Sequence, residues 1–196
     1  TTQPNAPIRH GERFALVEAV CGICGVVSLE GDLPPGVAGA IGGMTDRLHH
    51  RGPDGGGTYH APWFAFGHRR LAIIDRAGGE QPMANEDRSV WIVFNGEIYN
   101  FQELRRDLEA LGHRFYTRTD TECIVHAYEQ YGEDCFSRLR GMFAIAILDL
   151  RQNKLVLGRD RLGKKPLYYT TLPGGVLAFA SELKSLFAVP GFAPTV

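Results

Sequence analysis

The strand-like segments of this chain come in groups joined by short turns, and this grouping is the strongest constraint on its fold. "MFAIAILDL" and "LVLGRD" flank the turn "RQNK", while "PLYYTT" and "VLAFAS" flank a Pro-Gly-Gly turn. The runs "WFAFGH", "RLAIID" and "SVWIVFNG" form an earlier group. Short turns join antiparallel neighbours, whereas parallel strands need long crossover connections. The sequence therefore predicts mainly antiparallel sheets and the α+β class.

Helices are predicted between these groups of strands. The apolar residues after Pro35 are spaced four, three and four apart, which places them on one helix face. They are Val37, Ile41, Met44 and Leu48. A second helix is expected after Asn100, an N-cap residue that Glu103 completes as a capping box, and Gly112 should end it. A third is expected to begin near Asp120.

Composition excludes several classes of protein. The chain has 196 residues, enough for one sizeable domain, and its 44% hydrophobic and 22% charged residues are ordinary for a globular protein. The net charge is -1 and no basic block is present, which argues against a nucleic-acid partner. No apolar run approaches the roughly 18 residues of a membrane helix. We therefore expect a cytoplasmic protein with reduced thiols.

Two cysteines, three residues apart, lead into an apolar strand-like run in the stretch "CGICGVVSL". The chain has four cysteines in all: Cys21, Cys24, Cys123 and Cys135. A redox pair needs a helix after the first cysteine, and a zinc site needs a second pair of ligands. Neither is present, because a strand-like run follows and His49 and His50 are adjacent, so no metal site is predicted. Cys21 is then either a small buried residue or a nucleophile, and both interpretations stay open at this point.

A nucleophilic cysteine needs a base and donors for the oxyanion. None of the seven histidines is marked by its sequence context as the base. If Cys21 were the first residue, its own α-amino group, with a pKa of about 7.7–8.0, could accept the thiol proton.

Eight motifs follow one another in an order that resembles class II glutamine amidotransferase domains, most of all the glutaminase half of asparagine synthetases. They are "CGICGVV", "HHRGPDGGG", "HRRLAIID", "GEQPM", "FNGEIYN", "RTDTECIV", "GMFAIAILD" and "GRDRLGKKPLYY". The resemblance implies an N-terminal-nucleophile hydrolase fold, a four-layer αββα sandwich, over residues 21–189. It also implies that Cys21 attacks the side-chain amide of glutamine, forms a thioester and releases ammonia and then glutamate.

The resemblance also implies a set of site residues. The catalytic ones are Cys21, Asn95 and Gly96, and the substrate-binding ones are Arg70, Leu71, Ile74, Asn95, Gly96, Glu97 and Asp120. An arginine fork suits the α-carboxylate of glutamine and an acidic side chain suits its ammonium. Taken singly, Asp120 could be a helix cap, Arg70 a surface charge and Asn95-Gly96 a hairpin turn. Arg51 in "RGPD" matches a family position without an assigned role.

The remainder of the protein is inferred from the same resemblance. An ATP- and Mg²⁺-dependent synthetase domain is expected to follow residues 190–196, which resemble a linker, and its S-G-G-x-D-S loop is absent here. The glutaminase domain itself is predicted to need no cofactor. An acceptor other than aspartate, a non-catalytic docking module and a homodimer all stay open.

Residues 1–20 are expected to be a head outside the domain. Val20 stands where the family has its initiator methionine, so a GUG start codon at this position would expose Cys21 after maturation. A cleaved pro-segment is the second hypothesis for the head.

Overall fold

The strands of this protein form two antiparallel sheets, in a computed structural model that describes residues 21–71 and 79–194. In chain order they are β1 (Gly22–Ser28), β2 (Gly55–Ala61), β3 (Phe64–Arg70), β4 (Met83–Ala84), β5 (Val90–Ile98), β6 (Gly141–Asp149), β7 (Lys154–Arg159), β8 (Tyr168–Leu172) and β9 (Val176–Ala180). The first sheet has the order β2-β3-β1-β9-β8 and the second the order β4-β5-β6-β7. Every pair of neighbouring strands is antiparallel, as predicted.

The helices cover the outer faces of the two sheets. They are α1 (Pro35–Ala38), α2 (Ala40–Asp46), α3 (Phe101–Ala110), α4 (Asp120–Tyr131), α5 (Cys135–Arg138) and α6 (Leu183–Leu186), with a short 3₁₀ helix at Gly132–Asp134. Apolar residues of α1, α2 and α6 pack against the first sheet, and those of α3, α4 and α5 against the second. The predicted αββα sandwich is therefore confirmed.

A third apolar cluster lies between the two sheets. Its buried members come from β1, β3, β5, β6 and β9: Ile23, Val27, Phe64, Phe66, Trp91, Val93, Ala144, Ala146, Leu148 and Phe179. Strands β1 and β5 are thereby buried on both faces, which explains why their sequences read as continuous apolar runs.

The predicted first helix is two short helices that meet at Gly39. The four residues predicted to share a face, Val37, Ile41, Met44 and Leu48, are all buried against the first sheet. The apolar spacing was therefore informative, although the helix is interrupted at Gly39 and α2 ends at Asp46, before Leu48.

The capping box predicted at Asn100 is wrong. No side-chain hydrogen bond caps α3. The Asn100 amide instead donates from Nδ2 to the carbonyl of Arg138 at 3.0 Å and accepts from the N–H of Arg140 at 2.9 Å. Those bonds hold the segment before β6, so the side chain is unavailable to its own helix.

None of the described helices has the length and apolar character that crossing a bilayer requires.

Candidate active site

A cavity of about 370 Å³ brings together most of the predicted site residues, from segments far apart in the chain. Those that line it are Cys21, Arg70, Leu71, Asn95, Gly96, Glu97 and Asp120. Ile74 lies outside the described residues. The volume is within the range of about 300–1,000 Å³ typical of small-molecule sites. The fold thus gathers the residue before β1, the end of β3, the second half of β5 and the first turn of α4 at one place.

The Cys21 thiol lies directly before β1, half-buried in this cavity. Its Sγ accepts a hydrogen bond of 3.4 Å from the N–H of Leu71. Burial raises the pKa of the thiol, while the Arg70 guanidinium lowers it and the Asp120 carboxylate raises it. The thiol is therefore protonated at neutral pH, and a base is needed to activate it.

Arg51, which had no assigned role, fixes the main chain of the cysteine. Its Nε donates to the carbonyl of Cys21 at 3.1 Å and its Nη1 donates to Oε1 of Glu182 at 2.9 Å. Glu182 also accepts from His50 and Lys184, and these contacts lower its pKa to about 2 although burial alone would raise it. Arg51 therefore ties the nucleophile to the segment just after β9.

Asn95 is the most unusual polar residue of the cavity. It is fully buried, yet neither Nδ2 nor Oδ1 has a hydrogen-bond partner among the described residues. Leaving a buried amide unpaired costs about 1–3 kcal/mol for each polar group, so such a side chain indicates a ligand that completes it. Asn95 pairs with Ala144 inside β5, so the Asn95-Gly96 hairpin turn considered from the sequence is excluded.

The N–H of Gly96 faces an edge of β5 to which none of the described strands pairs at this point. On the same edge, two residues away on either side, the N–H of Phe94 donates to Oε1 of Gln81 at 2.6 Å and that of Ile98 to Oδ2 of Asp120 at 3.0 Å. Every second N–H of a strand points to the same edge. The N–H of Gly96 therefore lies between the N–H groups of Phe94 and Ile98, which both donate to side chains, and it faces the cavity.

The reason for a glycine at position 96 is the neighbouring strand. A Cβ there would collide with the carbonyl oxygen of Met142 and lie 2.7 Å from Cα of Phe143, both on β6. The close approach of β6 is therefore what excludes a side chain at this position.

The cavity holds charges of both signs. Asp120 is only 8% exposed, and burial raises its pKa, with nearby Glu97 raising it further. Asp120 does not cap α4, because Thr119 is the N-cap and accepts from the N–H of Glu122. Together with Arg70, these side chains offer two anions and a cation to one small molecule, which fits a zwitterion.

Several lining residues were not singled out from the sequence. Gln81, Thr119, Thr121, Lys164 and Lys165 all line the cavity, as does His68. His68 is 1% exposed, and burial followed by the charge of Arg70 lowers its pKa to about 3, although a hydrogen bond to the backbone of Phe94 opposes this. His68 and Gln81 stand inside motifs already noted, "HRRLAIID" and "GEQPM", but their role depends on contacts with β5 that no spacing reveals.

Residues 20–196 match the family model described as a glutamine amidotransferase domain. This chain belongs to that family. The glutamine amidotransferase domain is 50% identical over 143 residues to asparagine synthetase (glutamine-hydrolyzing) 1 of Bacillus subtilis (strain 168), an alignment that covers 73% of this chain and 22% of the relative. Asparagine synthetase (glutamine-hydrolyzing) 2 of Oryza sativa subsp. japonica is 41% identical over 167 residues, covering 85% and 28%. The domain thus spans about a quarter of the length of the curated relatives it matches.

Among solved structures, the domain resembles the glutamine phosphoribosylpyrophosphate amidotransferase from B. subtilis. The TM-score is 0.68 at 22% identity, and the match covers 86% of this chain and 43% of the other. At this identity the likeness establishes the fold, in agreement with the two sheets and their helical layers.

Proposed function

We propose that this domain hydrolyses the side-chain amide of glutamine through a thioester on Cys21, giving glutamate and ammonia. The observation that supports the proposal most is the pairing of a thiol with a fully buried, unpartnered amide, Asn95, in one cavity. The membership of the chain in the glutamine amidotransferase domain family agrees with it.

In the proposed reaction, the Cys21 thiol gives its proton to a base and Sγ attacks the amide carbon of glutamine. The negative charge that develops on the carbonyl oxygen is stabilised by Nδ2 of Asn95 and the N–H of Gly96. The base then returns the proton to the leaving nitrogen, and ammonia departs. Water attacks the resulting thioester, and its proton passes back through the base to Sγ as glutamate leaves.

The base in this proposal is the α-amino group of Cys21, which is free only in a chain that begins at that residue. Among the described residues, the hydrogen-bonding contacts of Sγ are with the backbone of Leu71 and include no histidine. The low pKa of His68 makes that histidine a poor proton acceptor.

The charged side chains of the site are complementary to the charges of glutamine. Arg70 would bind the α-carboxylate of glutamine, while Asp120 with Glu97 would bind its ammonium. Arg70 and Asp120 shift the pKa of Cys21 in opposite directions, and a bound zwitterion would neutralise both. Leu71, which lines the cavity, would contact the substrate, and the family resemblance implies the same role for Ile74.

The ammonia would serve an asparagine synthetase domain of the same protein, since the relatives that the domain matches carry that name. ATP and Mg²⁺ would act in that further domain, and the glutaminase site itself is proposed to need no cofactor. We further propose a cytoplasmic location, which the four free cysteines support. A homodimer stays a prediction.

The test is an assay of glutamate and ammonia from glutamine, in chelator, with a chain beginning at Cys21 and with the 196-residue chain. The first form should be active and the second inactive, because an acylated α-nitrogen is not a base. Cys21→Ala should abolish turnover. Cys24→Ala should retain most of it, since Cys24 is fully buried, which raises its pKa to about 12.

Four results would contradict the proposal. Activity that is lost in chelator and restored by zinc would indicate metal-dependent hydrolysis. Equal loss in both cysteine variants would favour a paired-cysteine site. Full activity in the 196-residue chain would exclude the α-amine as base, and no hydrolysis by either form would favour the docking module.

A further inference from the structure

Three potential metal ligands converge outside the cavity, between the segment after α3 and the middle of α4. Nδ1 of His113 lies 3.3 Å from Nδ1 of His126, and the latter lies 2.8 Å from Oε2 of Glu129. Nδ1 of His113 and Oε2 of Glu129 are 3.7 Å apart. None of the three residues lines the cavity that contains Cys21.

These separations match the geometry of a tetrahedral zinc site. Bonds of about 2.0–2.1 Å to a tetrahedral Zn²⁺ place neighbouring ligand atoms about 3.3 Å apart. The three observed distances lie on both sides of that value, so one ion can reach all three atoms with small side-chain adjustments. Two imidazoles and one carboxylate also form a ligand set that zinc commonly takes.

The remaining polar atoms of His113 and Glu129 contact other partners. Nε2 of His113 contacts Oε1 of Gln130 at 3.0 Å; since an amide oxygen only accepts, Nε2 carries the proton and Nδ1 presents a lone pair. Oε1 of Glu129 accepts from Nδ2 of Asn85 at 2.7 Å, which leaves Oε2 for a cation. Outer hydrogen bonds of this kind orient the ligands of metal sites.

His126 has a potential outer partner on the buried side of its ring, the carboxylate of Glu122. Its Nε2 lies 3.7 Å from Oε1 of Glu122 and has no hydrogen-bond partner among the described residues. A small rotation of the ring would let Nε2–H donate to that carboxylate, which is the usual outer partner of a zinc-bound histidine. Nδ1 would then be free of its proton and directed at the centre of the triad.

We propose that His113, His126 and Glu129 form a zinc-binding site, with water in the fourth position. His126 is buried while His113 and Glu129 are partly exposed, so the open position faces solvent. The ion would join the segment between α3 and α4 to α4 itself. Glu122 already accepts from the N–H groups of Tyr116 and Thr117 in that segment, so the metal would stabilise an existing junction.

A proton on His126 competes with a metal ion for the centre of this triad. Burial lowers the pKa of His126, but the nearby carboxylates of Glu122 and Glu129 outweigh this and raise it to about 9. A protonated His126 could donate to Glu129 and to Nδ1 of His113 with no metal present. The experiment must therefore separate metal binding from a hydrogen-bonded triad.

The test uses the full 196-residue chain carrying Cys21→Ser, which removes the accessible thiol, after chelator treatment and dialysis. Titration with Co²⁺ should give one equivalent of binding, with the strong visible absorption of a four-coordinate ion, and Zn²⁺ should abolish that absorption. Zinc at about a hundredfold above its Kd should raise the Tm by several degrees.

Two variants keep the hydrogen bonds but weaken the metal site. In Glu129→Gln the amide can still accept from Asn85 and contact His126, but it lacks the anionic ligand. In His113→Asn the side-chain oxygen can take the place of Nδ1 as an acceptor. Both should lose the Co²⁺ absorption and the zinc-induced shift in Tm, whereas His60→Asn, on the exposed face of β2, should keep both.

The proposal is overturned if the parent chain binds no Co²⁺ or Zn²⁺, in which case the triad is held by a proton. It is also overturned if the two variants bind both ions as well as the parent does. The same conclusion follows if His60→Asn removes the response, because the ion would then lie elsewhere.

Discussion

The carbonyl of Cys21 accepts a hydrogen bond of 3.1 Å from Nε of Arg51. The same guanidinium reaches Glu182 through Nη1, and the neighbouring Ser181 accepts from the N–H of Ile23 at 3.0 Å. The first residues of β1 are thus held from two directions, by the segment after α2 and by the segment after β9. This arrangement positions the thiol without using any group that would touch the substrate.

The contact between Arg51 and Cys21 gives the first prediction. Arg51→Lys should lower kcat by up to about 10²-fold, because a single ammonium cannot hold the carbonyl and Glu182 in the geometry of the guanidinium fork and small displacements of a reacting group cost about this much. KM should change little, since Arg51 does not line the cavity. Steady-state kinetics of the chain that begins at Cys21 will measure both constants.

Arg47→Lys is the matched control for this variant. Arg47 precedes Arg51 in the same segment, and its side-chain hydrogen bond among the described residues is an exposed one of 3.4 Å to the carbonyl of Lys184. It should leave kcat unchanged. Comparable losses in the two variants would mean that Arg51 supports general stability and does not position Cys21.

Asn95 and Asp120 should separate into catalytic and binding roles. Asn95→Ala should lower kcat by roughly 10²–10³, the cost of removing one oxyanion donor in another hydrolase. Asp120→Asn keeps an oxygen that can accept from the N–H of Ile98 but loses the charge, so it should mainly raise KM for glutamine. A set of kinetic constants with the opposite partition would show that the two roles have been exchanged.

The stability of Asn95→Ala provides an independent check of its role. Because neither polar atom of Asn95 has a partner among the described residues, replacing it should raise the free energy of unfolding by about 1 kcal/mol. Urea unfolding will measure this. A clear loss of stability would indicate that Asn95 has a structural role in the folded protein.

Position 96 should tolerate no side chain, for a structural reason. Gly96→Ala should lower the free energy of unfolding by about 3 kcal/mol or more, because its Cβ would collide with the main chain of β6. Gly42→Ala, in α2 with open space around the new Cβ, should raise it by roughly 0.5–1 kcal/mol. Urea midpoints will rank the two variants, and similar values would contradict the contact with β6.

His68 should make the fold sensitive to acid. Its pKa is lowered to about 3 in the folded protein, so the unfolded chain binds this proton first as the pH falls below the ordinary value of about 6.5. Stability is therefore complete above that pH and lost on acidification, by roughly 1.4 kcal/mol per pH unit from this group alone.

His68→Asn should flatten the dependence of the unfolding free energy on pH between about 6 and 4. Unfolding in urea at several pH values will measure the slope. His60→Asn replaces an exposed histidine of β2 and should leave the slope as in the parent. An unchanged slope in His68→Asn would mean that His68 takes up its proton in the folded state.

The elements of the fold were largely predictable because their signals are local. Turn residues between apolar runs predicted antiparallel strands, and the spacing of Val37, Ile41, Met44 and Leu48 predicted which residues face the first sheet. The Asn100 capping box failed for the opposite reason: Arg138 and Arg140, distant in the sequence, compete for the same amide.

The candidate site was likewise predictable only in part. The sequence by itself determined the residue types, since a thiol, an amide, an arginine and carboxylates in ordered motifs already define a chemistry. Only the tertiary structure decided that Arg51 holds Cys21, that Gln81 and Asp120 flank the N–H of Gly96, and that β6 requires glycine at that position. Each of these depends on a contact of a few ångströms between segments that local propensity does not relate. Packing of the two sheets and their helices creates those contacts, and no single segment encodes them.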